Sequence, residues 1–124
     1  MITDFTQDNR LASFLAGKTE ISVSLLRHFM EQYQQIGAVE FMPAKTMIGV
    51  SNGQKRIAWI TQLGKNFVHI VFPFNQAYED NLCFQKIAPV PGHAQQFNHH
   101  FRMLKKEDVN AEVLKFMKLA WQGE

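Results

Sequence analysis

Between Lys45 and Phe74 the chain reads KTMIGVSNGQKRIAWITQLGKNFVHIVFPF, with apolar side chains recurring at alternate positions between two short turn signals. Side chains alternate across a strand, so a period of two assigns each parity to one face of a sheet. Asn52-Gly53 and Gly64-Lys65-Asn66 interrupt the pattern, and both combinations tolerate the positive φ of tight hairpin turns. Strands joined by so few residues have to run antiparallel.

The same period predicts strands at 39–42, 46–51, 56–62, 67–74, 82–88 and 97–104, with Pro73 closing one of them. Pro89, Pro91 and Gly92 punctuate the last long connection. Helical spacing takes over outside this region. Residues 8–16 form a short candidate helix with Leu11, Phe14 and Leu15 on one side. A longer one at 19–36 carries Ile21, Leu25, Leu26, Phe29, Tyr33 and Ile36 on one stripe, with Thr19 as its N-cap. Near the C-terminus, Val109, Val113, Phe116, Met117 and Ala120 align on one face of a helix at 109–122. Its early Glu107, Asp108 and Glu112 favour the positive end of the helix dipole. The fold class expected is α+β: an antiparallel sheet of about five to six strands, with helices before and after it packed mainly on one face. At 124 residues, a single domain over 1–124 buries enough surface to fold without metal or disulfide.

Several function classes drop out early. Cys83 is the lone cysteine and has no internal partner, which favours a reducing compartment. The N-terminal MITDFTQDNR lacks the basic and apolar regions of a signal peptide, and no apolar run approaches the roughly 20 residues that span a bilayer. A cytoplasmic protein with no membrane partner is expected. The net charge of +2 comes from interspersed acids and bases rather than one basic block, so it points weakly to nucleic acid.

Parity then separates the two sheet faces. Val68, Ile70, Phe72 and Phe74 align with Ala58, Ile60, Ile48 and Val50, and with Phe97, His99, Phe101 and Met103 of the last strand. That is the more apolar set, and the helices should cover it. The other face then carries Lys45, Met47, Trp59, His69, His100 and Arg102. Guanidinium pairs with carboxylate or phosphate, and indole stacks, so this face is the candidate ligand-binding surface, with Lys45, Trp59, His69, His100 and Arg102 as its residues. The loop FNQAYEDN at 74–81 is longer than a hairpin needs, and Tyr78 and Asn75 would form a lip over that face. The basic tips Lys55-Arg56 and Lys65 read as solvated hairpin ends.

No catalytic or metal motif accompanies the surface. The five histidines show no HxxxH or HExxH spacing, and adjacent His99 and His100 point to opposite faces of a strand. Cys83, in the apolar Leu82-Cys83-Phe84, reads as an inert thiol, and neither GxGxxG nor a Walker loop is present. Neither a metal nor a cofactor is expected.

Gly17-Lys18, Lys45-Thr46 ahead of an Ile-Gly strand, Arg56-Ile57-Ala58-Trp59, and His99-His100-Phe101-Arg102 with Glu107-Asp108 form a pattern over about residues 14–121. It resembles a bacterial domain-of-unknown-function family of small α+β domains, standing alone or fused behind restriction-related or predicted transport proteins. The resemblance implies a binding accessory and carries no activity with it. The leading expectation is therefore a non-enzymatic binding or protein-interaction domain, taking an anionic small ligand or a second copy of itself. The alternatives are a nucleic-acid-associated accessory and a small enzyme with a histidine site on the same face.

Overall fold

In a computed structural model of the protein, which describes residues 9–93 and 95–123, the sequence periodicities become three helices and six strands. Two helices come first, α1 (Asn9–Leu15) and α2 (Glu20–Ile36). The strands follow: β1 (Glu40–Pro43), β2 (Ile48–Ser51), β3 (Arg56–Leu63), β4 (Val68–Phe74), β5 (Lys86–Pro89) and β6 (Phe97–Met103). A 3-10 turn, Lys106–Asp108, leads into α3 (Ala111–Trp121). Asp8, the first residue of the expected short helix, lies outside the described residues.

All six strands join one antiparallel sheet in the order β1-β2-β3-β4-β6-β5. The first four form a meander, as the turn signals require. The chain then passes over to the far edge as β5 and returns as β6, between β5 and β4. β6 pairs with all seven residues of β4, so two histidine-bearing strands lie side by side in the interior of the sheet.

The helices cover one face, the one parity selects. Thr19 caps α2 by accepting from the Ser22 N–H, while its own hydroxyl donates to the Lys65 carbonyl at 2.6 Å and so anchors the helix start to the β3–β4 turn. Asn110 caps α3 through the Val113 N–H. The Tyr33 hydroxyl donates to the Met117 carbonyl at 2.8 Å, joining the two helices inside the core. Leu25, Phe29, Ile60, Ile70, Phe72, Val113 and Met117 are all buried in one cluster. Trp121 ends α3 against the sheet: its indole N–H donates to the Ala38 carbonyl, and its own carbonyl accepts from the Asn52 amide.

Two local expectations change. The predicted strand at 82–88 shortens to Lys86–Pro89, because Leu82 and Cys83 sit in a turn; Leu82 is 97% exposed. The parity of 82–88 is mixed because half of it is not strand. At the turns, Gly53 takes φ 93°, whereas the turn at 64–67 contains no positive φ. Gly64 instead lies under the Phe67 ring, where any Cβ would collide.

Candidate functional site

The face away from the helices is built from cross-strand rows. One row runs Met42, Gly49, Trp59, Val71, His100 and Lys86 from β1 to β5; the next runs Gln62, His69 and Arg102 across β3, β4 and β6. Trp59, His69, His100 and Arg102 therefore share one side of the sheet. Val71 lies among them with only 6% of its surface exposed, yet it is no part of the helix-side core. The side chains around it form a layer of their own.

His69 and His100 are diagonal neighbours on β4 and β6, with His69 Nε2 2.9 Å from His100 Nδ1. One of these nitrogens donates and the other accepts, so a single proton bridges the rings. Burial lowers the pKa of His69, and the charges of His100 and Arg102 lower it further. For His100 the causes are burial and then Lys86, its partner across the β5–β6 ladder. The free pair is held towards its neutral form.

Two guanidinium groups lie over aromatic rings on this face. Arg102 sits 4.6 Å from the centre of the Phe67 ring, and Arg56 sits 4.2 Å from that of Trp59. Stacking of this kind holds the cation while leaving its N–H edge for other partners. Among the described residues no hydrogen bond or ion pair holds either group, and Arg56 Nε is buried without a partner. The guanidinium of Arg56 occupies the space above Gly49, where a Cβ would lie 2.5 Å from it. Glycine in β2 makes that position open.

Arg56 is the residue that parity reasoning misplaces. Counting back by twos from Ile60 and Ala58 puts it under the helices, and the hairpin context suggests a solvated tip. A bulge makes Ser51 pair with Arg56 while Val50 pairs with Ala58, so Ile57 is the extra residue. Ile57 turns into the core, and Arg56 swings onto the open face. A second bulge, with Thr61 as the extra residue, sends Leu63 into the core and pairs Gln62 with His69. The signal is in the sequence: at each end of β3 a polar residue at a core parity sits beside an apolar one at an open parity.

Lys45 stands apart from the cluster. It is exposed in the 44–47 turn, not in a strand, and with Thr61 and Gln62 it lines a shallow depression at the sheet margin. Tyr78 forms no lip over the open face; its ring packs on the helix side against Phe74, His99 and Phe116. Asn75 is exposed in the loop.

His99 faces the covered side, as parity requires, and is fully buried among Phe74, Tyr78 and Phe84. Its Nε2 accepts from the Tyr78 N–H at 3.1 Å, so Nδ1 carries the proton and donates to the Phe97 carbonyl at 3.0 Å. Both nitrogens are satisfied in the neutral ring, and burial lowers its pKa. Cys83 is half-buried, and its thiol pKa is pushed up to about 12 by burial and then by the charge of Glu112, with which it also hydrogen-bonds. The carboxylate adds to the effect of burial in keeping it a thiol.

Among the described residues no group of three or more His, Cys, Asp or Glu is placed to hold a metal ion, and no helix is long and apolar enough to cross a membrane. Comparison with protein-family models, curated proteins and solved structures finds no match.

Proposed function

We propose that this protein is a binding domain whose open sheet face engages an anionic partner. The observation that carries this reading is the charge of the sheet itself. Strands β2 to β6 contain no Asp or Glu, while Arg102 and Lys86 project from them beside the histidine pair and Arg56 lies over Trp59 on the same face. Only Glu40, on edge strand β1, brings a carboxylate to the sheet. Cations gathered this way repel one another unless an anion joins them.

The same charge weighs against pairing of this face with a second copy. A two-fold contact sets the patch against itself, opposing like charges. A nucleic-acid partner draws support from the cationic, aromatic surface, but the two rings best placed to stack on bases already carry guanidinium groups. A small enzyme using the His69–His100 pair would need a nucleophile or carboxylate beside it, and the neighbouring rows offer Trp59, Val71, Gln62, Arg102 and Lys86. The accessory role implied by the sequence resemblance accords with a binding domain.

Titration with an acidic peptide, a phosphorylated peptide and a single-stranded oligonucleotide tests the reading, alongside sedimentation. Binding to an anionic probe should weaken with salt and fall at least about tenfold (about 1.4 kcal/mol) in the Trp59→Ala, Arg102→Ala double variant, with the circular dichroism unchanged. Binding indifferent to these substitutions, or none to any probe, would overturn it. Self-association lost in the same variant would make the second-copy reading the correct one.

A further inference from the structure

The His69–His100 bridge dictates what the pair can offer a ligand. Two neutral imidazoles carry two N–H groups, of which one occupies the bridge. Outward, toward His69 Nδ1 and His100 Nε2, the pair then presents one donor and one bare nitrogen, whichever ring donates inward. Adding one proton leaves the bridge intact and turns both outer nitrogens into donors on a single cation. A second added proton would force N–H against N–H across 2.9 Å. The pair therefore stores one proton. Neither outer nitrogen has a partner among the described residues, and neither is sealed from solvent.

Resting on the anion-binding reading above, we infer that the His69–His100 pair, with Arg102 and Lys86, forms a site for a phosphate-type tetrahedral oxyanion that takes up one proton from solvent as the ligand binds. Arg102 pairs with His69 across β4 and β6, and Lys86 with His100 across β5 and β6, so the two fixed cations flank the pair. Their charges oppose its protonation in the free protein. From β3 the facing side chains are Trp59 and Gln62, both uncharged, and His99 lies through the sheet on the covered side. A dianion reverses the balance. It neutralises the flanking cations and attracts the positive charge of a protonated pair, so the pair's affinity for a proton rises on binding. With the proton aboard, three positive charges from three strands surround the ligand. Such spread donors suit the several oxygens of phosphate or sulfate better than the two of a carboxylate.

Inorganic sulfate is the probe, because it stays a dianion throughout the range studied. Calorimetry in buffers of different ionisation enthalpy should read uptake of up to one proton per sulfate. The Kd should weaken as pH rises from 6 to 8, by up to about tenfold per pH unit. The imidazole resonances of His69 and His100 should titrate at higher pH with sulfate present, while those of His99 stay put. In the His69→Gln, His100→Gln double variant, sulfate binding should become weaker and independent of pH. A phosphorylated peptide compared with inorganic phosphate at pH 8, where both are dianions, separates the ligand's source. Tighter binding of the peptide assigns a peptide-borne oxyanion and equal binding a free one, both in keeping with the site. Sulfate binding at Arg102 and Lys86 without proton uptake would overturn this inference and leave the anion-binding reading standing. No sulfate binding between pH 5.5 and 8 would likewise overturn this inference, while the peptide and oligonucleotide titrations decide the anion-binding reading.

Discussion

His99 and His100 are neighbours in the chain and differ in nearly everything else. The pleat of β6 sends His99 under the helices, where three aromatic rings surround it and both nitrogens meet backbone groups. His100 goes to the open face, where one nitrogen bridges to His69 and the other has no partner among the described residues. Neither ring is easily charged, for different reasons. Protonating His99 would turn its Nε2–H against the Tyr78 N–H in a sealed space, whereas protonating the open pair is opposed by burial and by neighbouring cations that a ligand can neutralise. One histidine is a structural tie between β6 and the 75–85 loop; the other belongs to the open face.

The contrast between the faces should show first in stability. Phe72, fully buried among Phe29, Phe74 and Phe84, should cost about 3–5 kcal/mol when replaced by Ala, read from urea denaturation. A cost below about 1 kcal/mol would mean that the helix-side cluster is not the core. His99→Ala removes a fully buried ring and leaves the part-buried Tyr78 N–H and Phe97 carbonyl without their partner, and should cost about 1–3 kcal/mol, while His100→Ala should stay within about 0.5 kcal/mol. Equal costs for the two would break the distinction drawn here.

Acid provides a third test. The pKa values of His69, His99 and His100 are lowered by folding, so below the ordinary histidine value the unfolded chain binds more protons than the folded one. Their stabilising contribution is fully present above about pH 6.5 and is lost as pH falls through the folded-state values. Urea midpoints measured from pH 8 to 5 should fall on the acid side. A His99→Phe variant should flatten that fall more than the His69→Gln, His100→Gln pair, because the sealed site has less means of accommodating charge. A midpoint that rises on acidification would contradict all three assignments. The smallest effect is expected at Arg56: Arg56→Ala should leave stability within about 0.5 kcal/mol, yet shift the emission of Trp59 by uncovering its ring. An unchanged spectrum would mean that the stacked guanidinium does not persist in solution.

The bulges explain how much of this could be read from the chain alone. Strand count, antiparallel pairing and the covered parity follow from local chemistry: alternate apolar residues leave water together, and short turns leave the chain no other direction. His69, His100 and Arg102 were recognisable as co-facial because β4 and β6 run without a break in register, and Trp59 because it lies between the two bulges of β3. Simple alternation misses Arg56, since an extra residue in β3 inverts its face; the polar–apolar inversion at the strand end marks a bulge, and hydrogen bonding with β2 decides which residue is extra. Tyr78 was likewise beyond reach, because its direction depends on the buried His99 nitrogen that holds its backbone. Which residues seek the core follows from the chain alone, since burial is a property of each side chain and its spacing. Tertiary structure alone decided that β6 returns between β4 and β5, and only that insertion sets His69 against His100, with Arg102 and Lys86 on either side. Strand order depends on how distant segments compete for the same edges, and no local pattern records the outcome.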